Sequence, residues 1–250
     1  MSSLADHPVI TTRYFFPIDL PLPDATIVPV EGAELACFSS DSGKELTVVH
    51  FHGNGEIVAD YLPDFPRKLA DLGANTFLAE YRGYGGSTGV PMLGKILDDI
   101  PAIRNAIDAP DHQLVIFGRS IGSIYAIEFA ARYPDVAGLI IESGIADVLE
   151  RILLRARPHE LGASLQELND EFHRLFDHQQ KLSRYPGPSL CLHAEEDHLV
   201  DKSHAERNAS WAGGDPRLVI FPRGDHNTIF AANHNDYLHE VGEFLNRLCP

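Results

Sequence analysis

The sequence predicts an α/β fold with a mostly parallel sheet and helices on both of its faces. Short apolar runs alternate along the chain with longer segments of helical periodicity, a pattern typical of βαβ units. Most of these runs are nearly continuous, as expected of strands that helices cover on both faces. The chain has 250 residues, of which 44% are hydrophobic, enough for one large core. We therefore expect a single domain over residues 1–250.

Seven apolar runs are the predicted strands of this sheet. They are Ala33–Phe38, Leu46–Phe51, Asn75–Glu80, Gln113–Gly118, Ala137–Glu142, Ser189–His193 and Arg217–Phe221. Between the strands, apolar side chains from Ile96 to Ile107 recur at helical spacing, and Pro101 within them predicts a kink or a split. Further helices are predicted over Ser120–Tyr133 and near the C-terminus, from Tyr237 onward.

Residues 145–185 interrupt the alternation of strands and helices. This segment is too long for a simple connection between two strands, and its Leu and Phe residues recur at helical spacing. We therefore expect two or three helices that form a cap inserted within the domain.

The charge and the termini limit the classes of partner. With 20 Lys and Arg against 36 Asp and Glu, the formal net charge is −16, which argues against nucleic acid and anionic membranes as partners. No apolar run approaches the roughly 18 residues that a membrane span requires. The N-terminus lacks the features of a secretory signal, and the three cysteines are far apart, so a cytoplasmic location is predicted. A small-molecule substrate is the expected partner, while the oligomeric state stays open.

The sharpest local signal for chemistry is Gly118-Arg119-Ser120-Ile121-Gly122, which has the pattern G-x-S-x-G. It follows an apolar strand directly and opens an apolar helix, so Ser120 is predicted to lie on the strained turn called a nucleophile elbow. Glycine suits both flanking positions because a side chain there would crowd the turn. Ser120 is therefore the candidate nucleophile.

A serine hydroxyl is a poor nucleophile, so this interpretation requires a histidine base and a carboxylate that orients it. His226 follows the last predicted strand, and Asp197 follows the strand before it. Loops at the carboxyl ends of parallel strands are where such sheets hold their sites. Three neighbouring carboxylates leave the identity of the acid open: Glu195, Glu196 and Asp201.

An acyl-transfer site also needs N–H donors for the oxyanion. The loop His52-Gly53-Asn54-Gly55 offers the N–H of Asn54, and the residue after the nucleophile offers the N–H of Ile121. His52 itself is expected to hold the loop through hydrogen bonds. No spacing of metal ligands and no phosphate-binding loop is present, so no metal and no cofactor are predicted.

Taken in order, several blocks of the sequence resemble the α/β-hydrolase superfamily, and within it the small serine-aminopeptidase-like (S33-type) hydrolases. The blocks that carry this resemblance are His52–Asn54, Tyr81–Ser87, Gly118–Gly122, Ile141–Gly144, Asp197 and Gly224–Asn227. The sequence departs from the pattern at Glu80, where relatives often have Asp, and at Ser123, where many have Gly. The resemblance implies an eight-stranded sheet, a helical cap and cofactor-free acyl hydrolysis by Ser120, His226 and Asp197.

The predicted function is therefore a serine hydrolase that cleaves an ester, a thioester or a small amide through an acyl-enzyme. Two alternatives stay open: an aminopeptidase-like amide hydrolase, in which Glu142 or Asp147 receives the substrate amine, and a non-catalytic ligand-binding protein. Leu149, Leu153 and Phe172 of the cap are candidate contacts for the acyl group. The acidic charge of the whole chain favours a neutral or cationic substrate.

Overall fold

The computed structural model describes residues 3–249 and has an eight-stranded sheet at its centre. The strands are β1 (Thr26–Val30), β2 (Ala33–Ser40), β3 (Leu46–Phe51), β4 (Ala74–Ala79), β5 (Leu114–Arg119), β6 (Gly138–Glu142), β7 (Ser189–Ala194) and β8 (Pro216–Phe221). Their order across the sheet is β1-β2-β4-β3-β5-β6-β7-β8. β1 and β2 pair antiparallel, as do β2 and β4, and all other pairs are parallel. The predicted fold class is confirmed.

Eleven α-helices lie among the described residues. They are α1 (Pro8–Tyr14), α2 (Val58–Tyr61), α3 (Phe65–Asp71), α4 (Lys95–Asn105), α5 (Gly122–Arg132), α6 (Val148–Leu153), α7 (Leu165–Phe176), α8 (His178–Arg184), α9 (Ser203–Trp211), α10 (Ile229–Ala232) and α11 (His234–Leu248). None of the helices within residues 3–249 is long and apolar enough to cross a membrane.

The central strand β5 shows why its sequence is apolar at every position. Leu114 and Ile116 belong to a core that includes α4 and α5, whereas Val115 and Phe117 belong to a second core that includes α3 and α11. Successive side chains of a strand point to opposite faces, so both faces of β5 are covered. This burial holds the carboxyl end of β5 rigidly in the middle of the sheet.

Two expectations differ from the structure. The strand β1 was not predicted from the apolar runs, because it is short, contains Pro29 and lies at the edge of the sheet, where a missing N–H is tolerated. The helix α4 runs unbroken from Lys95 to Asn105 with Pro101 inside it, so the helix is not split there.

The cap segment, defined as residues 145–185, contains α6, a 3-10 helix (Pro158–Leu161), α7 and α8 between β6 and β7. The helix α8 packs on α5, directly behind the nucleophile turn. The N-terminal region also touches the cap segment. Ser3 donates a hydrogen bond of 2.6 Å to Glu171, and Arg13 donates one of 3.0 Å to the carbonyl oxygen of Arg155.

Candidate active site

The turn between β5 and α5 holds Ser120 in a left-handed conformation, with φ of +52°. Such a conformation is strained for a residue that carries a side chain, and it recurs at functional sites. A Cβ atom at Gly122 would lie 2.1 Å from the carbonyl oxygen of Phe51, and one at Gly118 would lie 2.5 Å from that of Gly122. The two glycines therefore let the helix start close against β3 and β5 and present the serine at the end of the sheet.

The structure brings Ser120, His226 and Asp197 together. The Nε2 atom of His226 lies 2.9 Å from Oγ of Ser120, and its Nδ1 atom lies 2.7 Å from Oδ2 of Asp197. A carboxylate only accepts hydrogen bonds, so Nδ1 carries a hydrogen, and the neutral ring leaves Nε2 free to accept the serine proton. Hydrogen bonds thus connect the three side chains from the carboxylate of Asp197 to the hydroxyl of Ser120.

Asp197, the carboxylate bonded to His226, is held by further hydrogen bonds. The other oxygen of Asp197, Oδ1, accepts hydrogen bonds from the N–H groups of Leu199 and Val200 at 2.9 and 2.8 Å. Burial raises the pKa of Asp197, but the hydrogen bonds from His226 and Val200 outweigh it, so the pKa is lowered overall. Asp197 is therefore held as a carboxylate.

The three competing carboxylates contact other groups. Glu195 pairs with Lys202, Glu196 lies 3.7 Å from His198, and Asp201 accepts a hydrogen bond from the N–H of Ser203. All three are exposed. Among the described residues, only Asp197 offers a carboxylate to the ring of His226.

Both expected oxyanion donors lie at the same pocket as Ser120. Asn54 and Ile121 line this pocket, and neither backbone N–H donates a hydrogen bond to another group within residues 3–249. The side chain of Asn54 has an unexpected role: its Oδ1 accepts from the N–H of Phe16 at 3.0 Å, and its Nδ2 donates to the carbonyl oxygen of Tyr14. The loop is thereby tied to the N-terminal segment.

The pocket beside Ser120 has a volume of about 140 Å³ and is lined by six parts of the chain. Three of them are the nucleophile turn, the loop of Asn54 and the His226 loop. The other three are the N-terminal segment, through Tyr14 and Phe16, the loop after β7, through Leu199 and Val200, and the cap segment, through Ile145, Arg151 and Arg155. No local sequence signal marks Tyr14, Phe16 or the two cap arginines, because only the fold brings them to the serine.

Arg119 connects two carboxylates and the His226 loop through ion pairs and a hydrogen bond. Nη1 of Arg119 lies 2.6 Å from Glu56, its Nε lies 3.1 Å from Glu142, and its Nη2 donates to the carbonyl oxygen of His226 at 2.9 Å. Tyr237 donates a hydrogen bond to Glu142. Burial lowers the pKa of Arg119, but the charges of Glu142 and Glu56 raise it by more. The pKa is therefore raised overall, and the guanidinium stays protonated. Arg119 thus anchors the His226 loop to the sheet.

His52 holds its loop through hydrogen bonds, as the sequence predicts. Its Nε2 lies 2.7 Å from Oε1 of Glu80, and its Nδ1 lies 2.8 Å from the carbonyl oxygen of Gly53. Burial lowers the pKa of His52, but the charge of Glu80 and its hydrogen bond raise it more, so the pKa is raised overall. The Glu80 carboxylate also accepts from the N–H of Val58 at 2.9 Å. Glu at position 80 therefore serves as the anchor of this loop.

Several other expected contacts are absent from the serine pocket. Leu149 and Phe172 line a separate cavity of about 450 Å³ bordered by the cap segment and α9, and Leu153 packs against the buried core. Glu142 pairs with Arg119, and Asp147 caps α6 by accepting the N–H of Glu150 at 2.9 Å. None of the described residues that line the pocket beside Ser120 therefore supplies the carboxylate that an α-amine would need.

Within residues 3–249, no three His, Cys, Asp or Glu side chains are grouped so as to hold a metal ion.

Comparisons with known proteins agree with this geometry. A family model described as serine aminopeptidase, S33, matches residues 43–185, which is more than half of the chain. The chain is similar to YfhR of Escherichia coli (strain K12), with 28% identity over 206 residues that cover 80% of this chain and 69% of YfhR. It is also similar to the alpha/beta hydrolase domain-containing protein WAV2 of Arabidopsis thaliana, with 27% identity over 218 residues that cover 82% and 71% of the two chains.

A solved structure gives the same picture of the fold. The Pyrococcus furiosus esterase Pf2001 superposes with a TM-score of 0.69 at 18% sequence identity, and the match covers 96% of this chain and 95% of that one. An identity this low speaks for the fold alone. The family match, the order of the sheet and the G-x-S-x-G turn lead to one conclusion: the chain belongs to the serine aminopeptidase S33 family of the α/β-hydrolase superfamily.

Proposed function

We propose that the protein is a serine hydrolase that cleaves esters or thioesters through an acyl-enzyme. The observation that carries the proposal is the unbroken chain of hydrogen bonds from Asp197 through His226 to Ser120. The family includes hydrolases by its description, and the relative Pf2001 is named an esterase. We further propose that residues 1–250 act as one domain, with residues 145–185 as its cap.

In the first step, Oγ of Ser120 bonds to the carbonyl carbon of the substrate while its proton passes to Nε2 of His226. Asp197 stabilises the resulting imidazolium without taking the proton itself. The negative charge that develops on the carbonyl oxygen is received by the N–H groups of Asn54 and Ile121. When the tetrahedral intermediate collapses, the bond to the leaving group breaks, and His226 returns the proton to that alcohol or thiol.

In the second step, water replaces the leaving group. His226 takes a proton from the water, whose oxygen bonds to the acyl carbon, and the same oxyanion donors receive the charge. The bond to Oγ of Ser120 then breaks, Ser120 regains its proton from His226, and the carboxylic acid is released. Substrate, one water molecule and the side chains of this protein balance the reaction.

The geometry favours an ester or a thioester over an aminopeptidase substrate. An aminopeptidase must hold a protonated α-amine next to the nucleophile, which calls for a carboxylate at the pocket. Neither Asp nor Glu is among the described residues that line the pocket beside Ser120. Membership of a family named for aminopeptidases does not decide the substrate, since one fold supports many specificities.

The test of this proposal is labelling by a fluorophosphonate probe together with hydrolysis of p-nitrophenyl butyrate. We expect the wild type to be labelled and Ser120→Ala to lose both the label and about 10⁴-fold or more of kcat/KM, because the nucleophile is gone. The matched control is Ser183→Ala, which removes an exposed serine of α8 and should leave both readouts at the wild-type level. Equal labelling of wild type and Ser120→Ala would overturn the assignment, and an unlabelled, inactive but folded wild type would favour the non-catalytic ligand-binding protein.

A further inference from the structure

The charge of the pocket beside Ser120 differs from the charge of the whole protein. The chain has a formal net charge of −16, yet three arginines and no Asp or Glu are among the described residues that line this pocket: Arg119, Arg151 and Arg155. The charge of Arg119 is balanced by Glu56 and Glu142. The two arginines of the cap segment therefore decide the local charge.

In the part of the chain that the structure describes, neither cap arginine forms an ion pair with a carboxylate. Within residues 3–249, Arg151 takes part in no hydrogen bond and no ion pair, although half-buried. Its neighbour Glu150 is engaged elsewhere, with Arg207 at 2.9 Å and His204 at 3.5 Å. The guanidinium of Arg155 donates to the carbonyl oxygen of Arg13 at 3.1 Å and lies 5.1 Å from the centre of the Phe16 ring. Both contacts leave its positive charge uncompensated.

The two arginines line the same pocket as Tyr14. Burial raises the pKa of Tyr14 to about 12, and the positive charges of Arg151 and Arg155 act against that rise. A partly desolvated guanidinium without a partner is costly to maintain unless a ligand supplies the negative charge.

We propose that the substrate of this pocket carries an anionic group, a carboxylate or a phosphate, which Arg151 binds with Arg155 beside it. The planar guanidinium fits either anion through paired hydrogen bonds. The small pocket, about 140 Å³, places that anion a short distance from the reacting carbonyl. This inference rests on the proposed esterase function and deepens it, and it reverses the preference that the charge of the whole chain suggests.

The experiment compares two matched ester pairs, in each of which a methyl group removes one negative charge. The first pair is p-nitrophenyl hemisuccinate and its methyl ester, with the charge in the acyl group. The second is 4-(butyryloxy)benzoate and its methyl ester, with the charge in the leaving group. Ser120→Ala supplies the background rate for each. We expect the wild type to prefer the anionic member of at least one pair, and Arg151→Gln to lower the ratio of kcat/KM values, anionic over neutral, by about tenfold to a hundredfold.

Two further variants separate a bound anion from a general effect of charge. Arg151→Lys should recover part of the lost ratio, because the charge returns without the paired donors. Arg174→Gln removes an exposed arginine of α7 that does not line the pocket, and its ratio should match that of the wild type. An identical ratio in wild type and Arg151→Gln for both pairs would overturn the inference, as would an equal loss in Arg174→Gln.

A binding measurement keeps this inference distinct from the proposed function. NMR titration of wild type and Arg151→Gln with monomethyl succinate and with methyl phosphate requires no turnover. If the wild type hydrolyses none of the esters, the proposed function fails and the titration alone decides the inference. Saturable binding of either anion that Arg151→Gln weakens about tenfold supports it and tells carboxylate from phosphate; binding that the substitution leaves unchanged, or no binding, contradicts it.

Discussion

Two buried histidine–carboxylate pairs lie near the carboxyl end of the sheet and look alike at first. In one pair Nδ1 of His226 lies 2.7 Å from Asp197, and in the other Nε2 of His52 lies 2.7 Å from Glu80. All four side chains are buried. The two pairs therefore share their residue classes, their distance and their exclusion from water.

The pairs differ in what the second ring nitrogen faces. For His226 it is the hydroxyl of Ser120, a group that can donate its own proton. For His52 it is the carbonyl oxygen of Gly53, which can only accept. His52 therefore donates from both nitrogens and is a cation below its raised pKa, whereas His226 has one nitrogen free to take a proton. The partner of the second nitrogen, rather than the carboxylate, distinguishes a base from a structural anchor.

The largest effect expected from this comparison is on the reactive pair. Asp197→Asn replaces an acceptor by a group that can also donate, so His226 loses the contact that keeps the hydrogen on Nδ1. We expect kcat/KM for p-nitrophenyl butyrate to fall about 10⁴-fold, equivalent to about 5.5 kcal/mol of transition-state stabilisation. The matched control is Asp201→Asn, an exposed neighbour, which should retain at least a third of the rate. A near-normal rate in Asp197→Asn would show that another group orients His226.

An intermediate effect is expected where the His226 loop is anchored. Arg119→Met removes the cation between Glu56 and Glu142 as well as the hydrogen bond to the carbonyl oxygen of His226. Leaving the buried Glu142 and the partly exposed Glu56 without their partner should lower the free energy of unfolding by about 3 kcal/mol, measured in urea. Arg151→Met, which removes an arginine without a partner, should change it by about 0.5 kcal/mol at most. Equal losses in the two variants would contradict the role of Arg119 as an anchor.

The smallest effect is the pH dependence of the structural pair. Because the pKa of His52 is raised in the folded state, its contribution to stability is fully present below its unfolded value of about 6.5 and is lost as pH rises through the folded value. The variant Glu80→Gln lacks the carboxylate charge that raises the pKa of His52. We therefore expect the free energy of unfolding of wild type to exceed that of Glu80→Gln at pH 6. This difference should be about 1–2 kcal/mol smaller at pH 9.

The control for this pH dependence is Glu34→Gln, which removes an exposed carboxylate. Its difference from wild type should be the same at both pH values. A gap between wild type and Glu80→Gln that stays constant, or widens toward pH 9, would mean that His52 is not the cation that Glu80 holds.

Much of the fold was predictable because strand periodicity and the G-x-S-x-G turn are local signals. The seven apolar runs all became strands within one or two residues of their expected bounds, and the resemblance implied the eighth. β1 gave no clear local signal, since Pro29 interrupts it and only its place at the edge of the sheet permits that proline. A strand that depends on its neighbours is harder to recognise from its own residues.

The residues of the site likewise fall into two groups, those that a local sequence pattern marks and those that it does not. Ser120, Asp197 and His226 follow strands directly, so their meeting at one end of the sheet was a sound prediction, and their catalytic role stays a prediction. Tyr14 and Arg151 reach the pocket only because α1 packs on the cap segment. Nothing in their own stretches of sequence marks them, since contacts between segments this distant arise from packing rather than from local pattern.

The spread of the pocket over distant parts of the chain has a consequence for protein synthesis. Its residues run from Tyr14 to Asn227, so a chain emerging from the ribosome cannot complete the pocket until all the residues between them have been made. Domains made N-terminus first fold as units, and the wall contributed by Tyr14 and Phe16 has no cap segment to dock on until residues 145–185 have emerged. A nascent chain therefore contains the proposed nucleophile, Ser120, well before it contains the proposed base, His226.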